Sequence, residues 1–435
     1  MIENKTFCIL PFIHFNGYMD GTAKACCDSQ KAFTDIDLNS TDINTAFNSD
    51  EYKKLRLDML NGVENSYCTA CYDLEKQDIN SSRLRWNKHH IKKVPALEKK
   101  YFNKKNFKGE IEPNFISLDL RPSNICNFKC RTCNDGFSTK WQEEKEDFYK
   151  INKNVLYFGK EKLSGVNKVN FKLNEASMKN IEILYFAGGE PFVLEEHFEL
   201  LESIKEKKHI SIMYNTNFSI LKYKGKTIFE YLKDFRSVHF SISIDGLGEV
   251  GEFVRTGFDT KIFKKNFLIM KWAIDHYKNV SYDFQYTCSV LNSFNFFEFL
   301  EELGENDDLI NFHYIQYPFW YNTVNFDEAK NNTIKLFEEK LNTIVSDKLK
   351  SAILKYLEYL KNSKVTDWDK INAKKYLRGN VAHTLLFNDI DLPEKMVVIN
   401  KLINTKIDKK LLSKIFGTFL IIVSIRSFIE YFNIS

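Results

Sequence analysis

The 435-residue sequence lacks the segments that mark a secreted or membrane-spanning chain. Its N-terminus has no basic stretch followed by a long apolar one, so no secretory signal is predicted. The most apolar run, residues 415–425, lies between Lys414 and Arg426 and falls short of the roughly 20 residues that span a bilayer. We therefore expect a cytoplasmic protein without a membrane span, and a buried or dimer-forming helix at that run.

A large excess of one charge is also absent. The chain has 62 Lys and Arg against 58 Asp and Glu, a net charge of +4. This value is too small to indicate nucleic acid as a partner. Lysine is dense only locally, with eight between Lys88 and Lys108 and a single Glu. Residues 86–110 therefore predict a solvated linker, with a basic contact surface for an anionic partner as the alternative.

Cysteine is scarce but grouped. Of the nine cysteines, only Cys288 lies outside the first third of the chain. A reducing cytosol keeps thiols free, so a disulfide framework is not expected and metal ligation becomes the leading interpretation. Cys288, in a predicted strand, is expected to be a small buried hydrophobic residue.

Short β-rich runs alternate with helix-spaced apolar residues between positions 111 and 325, which is typical of parallel βα units. Helices are predicted at residues 195–207 and 263–276, and residues 326–435 predict a helical extension with one long helix at 329–361. The pattern indicates an α/β fold, a partial (β/α)6 TIM-like barrel whose site lies at the C-terminal strand ends. The predicted strands are residues 115–120, 183–186, 210–215, 238–244, 280–290 and 312–316.

Three cysteines, Cys126, Cys130 and Cys133, follow the first of these strands at C-x3-C-x2-C spacing. Zinc sites usually combine Cys pairs with further Cys or His ligands that close a tetrahedron. Iron–sulfur cubanes also use thiolates, and three protein ligands leave one iron open for an outside ligand. An open iron is what the reductive cleavage of S-adenosylmethionine requires.

This motif resembles the signature of the radical S-adenosylmethionine (radical SAM) superfamily, and a glycine-rich GGEP segment at residues 188–191 follows another predicted strand, as in that superfamily. The resemblance implies a [4Fe–4S] cluster at the three cysteines that cleaves S-adenosylmethionine to a 5′-deoxyadenosyl radical. It also implies that the GGEP backbone and its Glu hold the methionine ammonium group. The cofactor-binding residues implied are Gly188, Gly189, Glu190, Pro191, Asn217, Ser243, Asp245 and Arg255.

Two details qualify this resemblance. Arg255 stands where related sequences carry an Arg that can pair with the methionine carboxylate, in a geometry that favours Arg over Lys. Many members carry an aromatic residue just before the third cysteine, but this chain has Thr132 there. Phe128 is a candidate replacement for the adenine contact.

The N-terminal cysteines form a second group, Cys8, Cys26, Cys68 and Cys71, with Cys27 as a possible substitute. Their pattern resembles SPASM and twitch modules, which carry auxiliary clusters in radical SAM enzymes, although such modules usually follow the barrel. The resemblance implies one auxiliary [4Fe–4S] cluster in a module at residues 1–85. A structural zinc ion with the same ligands remains the alternative.

These features predict a radical SAM enzyme, with its barrel at residues 111–325, that abstracts hydrogen from a substrate. The resemblance favours a peptide substrate and an electron donor such as flavodoxin or ferredoxin, although a small metabolite, a sugar or a tRNA base fits the residues equally. The alternative is a non-catalytic maturation or interaction protein that binds an iron–sulfur cluster or zinc.

Overall fold

A computed structural model describes residues 4–76, 78, 80–102, 106–142, 144, 165–171, 173 and 178–388. The apolar run at residues 415–425 lies outside these stretches. Within them, no helix combines the length and apolarity needed to cross a membrane. The strands are β1 (His14–Gly17), β2 (Ala23–Lys24), β3 (Ser117–Leu120), β4 (Lys129–Cys130), β5 (Ile183–Phe186), β6 (Ser211–Thr216), β7 (Lys222–Tyr223), β8 (Lys226–Thr227), β9 (Ser237–Ser243), β10 (Arg255–Thr256), β11 (Val280–Cys288) and β12 (Ile310–Tyr314).

Helices follow most of the longer strands. The α-helices are α1 (Leu10–Ile13), α2 (Ile43–Ala46), α3 (Asp50–Leu60), α4 (Thr69–Glu75), α5 (Ser82–His89), α6 (Val94–Leu97), α7 (Glu195–Ser203), α8 (Ile228–Leu232), α9 (Gly248–Val254), α10 (Thr260–His276), α11 (Phe296–Leu303), α12 (Asp327–Lys340), α13 (Asp347–Asn362) and α14 (Asp367–Asn388). This alternation confirms the predicted α/β fold class. All six predicted strands are present, and β5 coincides with its predicted range.

The chain forms two compact units. The first unit comprises Met1–Cys126, Val166–Ser241 and Asn266–Tyr282, and the second comprises Asn127–Gly165, Ile242–Lys265 and Asp283–Ser435. Strands β9 and β11 run from one unit into the other. The division also falls inside the cysteine loop, directly after Cys126.

In the first unit the strands lie in the order β2-β1-β3-β5-β6-β9. Strand β1 pairs with β3, β3 with β5 and β5 with β6, all in parallel, whereas β2 is antiparallel to β1. The sequence patterns did not predict β1. The N-terminal cysteine-bearing segment therefore contributes a strand to the parallel sheet of this unit.

One face of this sheet forms an apolar core, because side chains alternate between the two faces of a strand. Four side chains in register across neighbouring strands are fully buried on it, and each contributes roughly 1.5–3 kcal/mol through burial. These residues are Phe15, Leu118, Leu184 and Ile212. The next residue on the first three strands, Asn16, Asp119 and Tyr185, points to the opposite face, which is polar.

In the second unit β11 pairs in parallel with β12, and β4 forms a short antiparallel pair with β10. The helix predicted at residues 329–361 is instead two helices, α12 and α13. The carboxylate of Asp307 accepts hydrogen bonds from the backbone N–H groups of Val345 (2.7 Å) and Ser346 (3.1 Å) between them. Ser346 then caps α13 by accepting from the Leu349 N–H (3.2 Å).

Candidate functional site

The GGEP segment is docked on the chain that leads to Cys126, within the first unit. The backbone N–H of Gly189 donates to the Ser123 carbonyl (2.8 Å), and that of Glu190 donates to the Ile125 carbonyl (2.9 Å). A Cβ atom added at Gly189 would lie 2.0 Å from the Ile125 oxygen. Gly189 is therefore required by this close backbone approach, which fixes the start of the cysteine loop against the loop after β5.

Glu190 lies beneath this contact and is 1% exposed. Its carboxylate accepts hydrogen bonds from the Thr216 hydroxyl (2.8 Å) and from the backbone N–H of Asn217 (2.7 Å). Burial raises the pKa of Glu190 to about 7, against the lowering effect of these hydrogen bonds. The carboxylate thus ties the GGEP segment to the end of β6, and its contact with a methionine ammonium group stays a prediction.

Asn217 extends this connection to the first loop cysteine. Its side-chain amide Nδ2 lies 3.9 Å from the Cys126 sulfur, and its Oδ1 accepts from the hydroxyl (2.6 Å) and backbone N–H (3.0 Å) of Ser219. The hydrogen bonds to Ser219 orient the amide so that its N–H side faces the sulfur. In the first unit, the structure therefore brings together Gly189, Glu190, Asn217 and Cys126.

Cys130 belongs to the second unit, where it lies opposite Arg255 in the β4–β10 pair. Arg255 directs Nη1 at the Cys130 sulfur (3.7 Å), and its Nε forms an ion pair with Asp245 Oδ2 (2.8 Å). The other carboxylate oxygen of Asp245 accepts from the backbone N–H of Thr287 (2.8 Å). Although burial opposes it, the Asp245 carboxylate raises the pKa of Arg255 above its ordinary value.

Cys133 completes the loop through a tight turn in which its N–H donates to the Cys130 carbonyl (3.0 Å). Burial raises the pKa of the Cys133 thiol to about 12, and it also raises the pKa of the Cys130 thiol. Phe128 is 2% exposed and packs edge-on against Phe258, so its ring is occupied by a core contact.

A buried ionic cluster adjoins the second half of the loop, and no sequence signal pointed to it. Glu144 is fully buried and pairs with Lys129 (2.6 Å) and Arg131 (3.3 Å). The guanidinium of Arg131 also donates to the Thr256 hydroxyl (2.8 Å) and covers the ring of Trp141. These contacts fix the backbone that carries Cys130, which is itself held by the Arg131 N–H bond to the Val254 carbonyl (2.7 Å).

Pro191 and Ser243 were also predicted to bind the cofactor. Pro191 is buried in a 3₁₀ turn, and Ser243 is half-buried at the end of β9. Cys288 is 1% exposed on β11, as expected for a small core residue, whereas Cys27 is exposed.

The four N-terminal cysteines come together in the first unit. Cys8, Cys26, Cys68 and Cys71 line one cavity together with Arg83. Burial and the neighbouring thiols raise the pKa of Cys8, and the same two causes raise that of Cys68 to about 12. Neutral thiols must therefore release protons before they bind a metal centre, so binding is linked to pH.

Arg83 was not identified from the sequence. It is 5% exposed, donates from Nη1 to the Phe7 carbonyl (2.7 Å) and forms an ion pair with Glu75. Its Nε also donates to Glu75 (2.9 Å), which accepts a further hydrogen bond from Ser81. The buried Arg83 at the wall of the four-cysteine cavity is thus paired with the half-buried Glu75.

Within the described stretches, no three His, Cys, Asp or Glu side chains are already arranged around a single metal ion. The two cysteine groups nevertheless fit iron–sulfur clusters, which take thiolate ligands. The reduction potentials of such clusters depend on hydrogen bonds to sulfur. N–H donors face two of the loop sulfurs, those of Cys126 and Cys130. This arrangement fits sulfurs that carry negative charge.

No known family profile matches the sequence. Over 242 residues the chain is 26% identical to the radical SAM cyclopropyl synthase TigE of Paramaledivibacter caminithermalis. Together with the cysteine and GGEP motifs, this similarity supports membership of the radical SAM superfamily. The match covers 51% of this chain and 46% of TigE, so the chain spans less than half the length of that relative.

Solved structures were also found to be similar. Native anSMEcpe with bound AdoMet and Cp18Cys peptide is 16% identical, with 52% of this chain and 61% of that chain covered and a TM-score of 0.31. Streptococcus suis SuiB bound to precursor peptide SuiA is 13% identical, with 66% and 64% covered and a TM-score of 0.32.

Proposed function

We propose that this radical SAM protein is an enzyme that binds a [4Fe–4S] cluster through Cys126, Cys130 and Cys133 and cleaves S-adenosylmethionine reductively. The observation that carries the proposal is the placement of N–H donors against two of the three loop sulfurs. A cluster bound there would supply the electron that converts S-adenosylmethionine to methionine and a 5′-deoxyadenosyl radical. That radical then abstracts hydrogen from a substrate.

The residues of the chain have separate tasks in this proposal. Gly189 and Glu190 hold the start of the loop, and Asn217 donates toward Cys126. Ser243, Gly188 and Pro191 stay candidate contacts for S-adenosylmethionine. Asp245 and Arg255 hold the second half of the loop through Cys130.

We also propose an auxiliary [4Fe–4S] cluster at Cys8, Cys26, Cys68 and Cys71. The support is that four cysteines, spread over more than sixty positions of sequence, line one cavity beside Arg83. Four thiolates complete the coordination of a cubane, which suits an electron acceptor or a structural centre. This assigns residues 1–85 to a twitch-like module, followed by a linker at 86–110, the barrel at 111–325 and the helical extension.

The substrate follows only from the family resemblance, which favours a peptide. A flavodoxin or ferredoxin as electron donor and a cytoplasmic location belong to the same proposal. A zinc-binding or non-catalytic protein would differ from the proposed enzyme in its metal content and in its turnover of S-adenosylmethionine.

Anaerobic reconstitution with iron and sulfide tests the proposal. We expect about eight irons per chain, which is the content of two cubanes, and release of 5′-deoxyadenosine when dithionite and S-adenosylmethionine are added. About four irons with retained turnover would remove the auxiliary cluster only. Bound zinc without iron, or iron without nucleoside release, would contradict the enzyme assignment.

Adjacent cysteines provide a matched pair of variants for the auxiliary site. Cys26 lines the cavity, whereas Cys27 is exposed. Cys26→Ser is expected to lose about half of the bound iron, because one of two cubanes loses a ligand. Cys27→Ser is expected to keep it, and equal losses in the two variants would contradict the ligand assignment.

A further inference from the structure

The charge pair beside Cys130 has a function beyond holding the loop. We propose that Arg255 raises the reduction potential of the cluster at Cys126, Cys130 and Cys133, and that Asp245 limits this increase. The inference rests on the proposed function, because it requires a cluster at that loop. It differs from the sequence-based prediction that Arg255 binds the methionine carboxylate.

The position of the guanidinium is fixed from both sides. Its Nη1 faces the Cys130 sulfur at 3.7 Å, and its Nε faces Asp245 at 2.8 Å. The backbone pairing of β4 with β10 sets Arg255 directly opposite Cys130. The contacts with the Cys130 sulfur and the Asp245 carboxylate therefore already fix the guanidinium in this structure.

Asp245 is also fixed in position, by burial and by hydrogen bonds. It is fully buried and accepts from the Thr287 N–H (2.8 Å). The Asn292 side chain, also fully buried, donates to the Asp245 carbonyl (2.9 Å) and to the Thr287 carbonyl (3.0 Å). The ends of β9 and β11 are thus clamped together, and the carboxylate cannot leave the guanidinium without breaking this network.

The electrostatic consequence follows from the sign of each charge. A cluster becomes more negative when it is reduced, so a nearby cation stabilises the reduced form and a nearby anion destabilises it. Burial strengthens both effects, because the interior screens charge less than water does. Arg255 contacts the ligand sulfur and Asp245 lies behind it, so the cation has the larger influence and the carboxylate offsets part of it.

Redox titration of the reconstituted full-length protein, followed by electron paramagnetic resonance without S-adenosylmethionine, tests this inference. Arg255→Gln is expected to shift the midpoint potential to more negative values, and Asp245→Asn to more positive values. The double variant is expected to lie between the two. The loop cluster is recognised because its signal changes when S-adenosylmethionine is added after the titration.

Conservative and remote variants complete the design. Arg255→Lys keeps the charge and is expected to stay nearer to the wild-type potential than Arg255→Gln does. Arg236→Gln changes an arginine that bonds to Ser211 and Glu182 instead, and is expected to leave the potential unchanged. If Arg255→Gln does not fold because Asp245 loses its partner, Asp245→Asn must still shift the potential to more positive values while Arg255→Lys stays near the wild-type value.

The experiment distinguishes a failure of this inference from a failure of the proposed function. Unchanged potentials, or shifts of the same sign in Arg255→Gln and Asp245→Asn, would overturn this inference while iron binding and nucleoside release stand. Weaker binding of S-adenosylmethionine in Arg255→Gln without a shift would favour the carboxylate contact and also overturn it. A protein without a signal that responds to S-adenosylmethionine would overturn the proposed function itself.

Discussion

The two cysteine groups differ in how the chain assembles them. Cys126, Cys130 and Cys133 lie within eight positions of sequence, whereas the four N-terminal cysteines are brought together from Cys8 to Cys71. Both groups have a buried arginine paired with a carboxylate beside them, Arg255 with Asp245 and Arg83 with Glu75. The difference is therefore in coordination and assembly rather than in electrostatic surroundings.

This contrast predicts that the cysteine loop serves the reaction and that the N-terminal cysteine site serves the stability of the fold. A cluster on the local loop with three thiols would leave one iron available to a cofactor, and its loss need not unfold the protein. A cluster held by four thiols from distant segments would have complete coordination and would crosslink the segments that it joins, so it would contribute to folding. Changes in the loop should reduce turnover, and changes at the N-terminal site should reduce stability.

The largest effect is expected for Cys130→Ser. Nucleoside release should fall by more than the roughly 10–100-fold that loss of an outer-shell partner costs, because a cluster ligand is removed. The thermal unfolding temperature should change little. Cys68→Ser is the comparison: it should keep more of the nucleoside release and lose more stability. Equal loss of nucleoside release in the two variants would break the contrast between the sites.

Gly189→Ala is expected to have the next largest effect. The added methyl group would lie 2.0 Å from the Ile125 oxygen, so the loop must move away from the GGEP segment. We expect a cost of roughly 1–3 kcal/mol in the free energy of unfolding, as for other overpacked sites, together with reduced iron at the loop. Gly225→Ala places its new atom where nothing lies within 4 Å, although the backbone φ there is +83°. It is the control for iron: it should lose some stability through backbone strain but keep the iron at the loop. Full iron content in Gly189→Ala would contradict the docking argument.

Arg83→Met tests whether the N-terminal cysteine site contributes to the stability of the fold. It leaves the half-buried Glu75 without its guanidinium partner and should lower the free energy of unfolding by roughly 1–3 kcal/mol, the cost of an unsatisfied polar group. Denaturant titration of the metal-free protein measures this change without interference from a cluster. Lys76→Met, which removes an exposed pair with Glu64, should change stability by no more than about 0.5 kcal/mol. Similar values for both variants would show that the Arg83–Glu75 pair does not support this site.

The most gradual effect is a pH dependence that arises at Glu190. Because burial raises its pKa to about 7 in the folded protein, the folded state holds a proton that the unfolded state releases at lower pH. Stability from this group is therefore present at acidic pH and is lost as the pH rises toward about 7, with a slope of at most about 1.4 kcal/mol per pH unit. Glu190→Gln should flatten the curve of unfolding free energy between pH 5 and pH 7. An unchanged slope would show that Glu190 is ionised in the folded protein.

The sequence predicted the parallel strands well, because buried strands carry continuous apolar and β-branched runs that are bounded by turn residues. It predicted one helix at residues 329–361, where the structure has two, because the break depends on Asp307, a distant residue that captures two backbone N–H groups. The motifs singled out Asp245 and Arg255 as candidate site residues, and the structure places Arg255 beside Cys130 and Asp245. Their partners could not be predicted, since the approach of Arg255 to Cys130 depends on the register of β4 against β10.

Strand β1 has a consequence for how the protein is made. It lies between β2 and β3 and hydrogen-bonds to both, yet β3 is translated long after all four N-terminal cysteines. A nascent chain that has not reached Leu120 presents these thiols without the strand that completes their support. If this site holds the proposed metal centre, its surroundings are complete only after β3 has been translated, which makes the timing of synthesis part of the assembly of the N-terminal site.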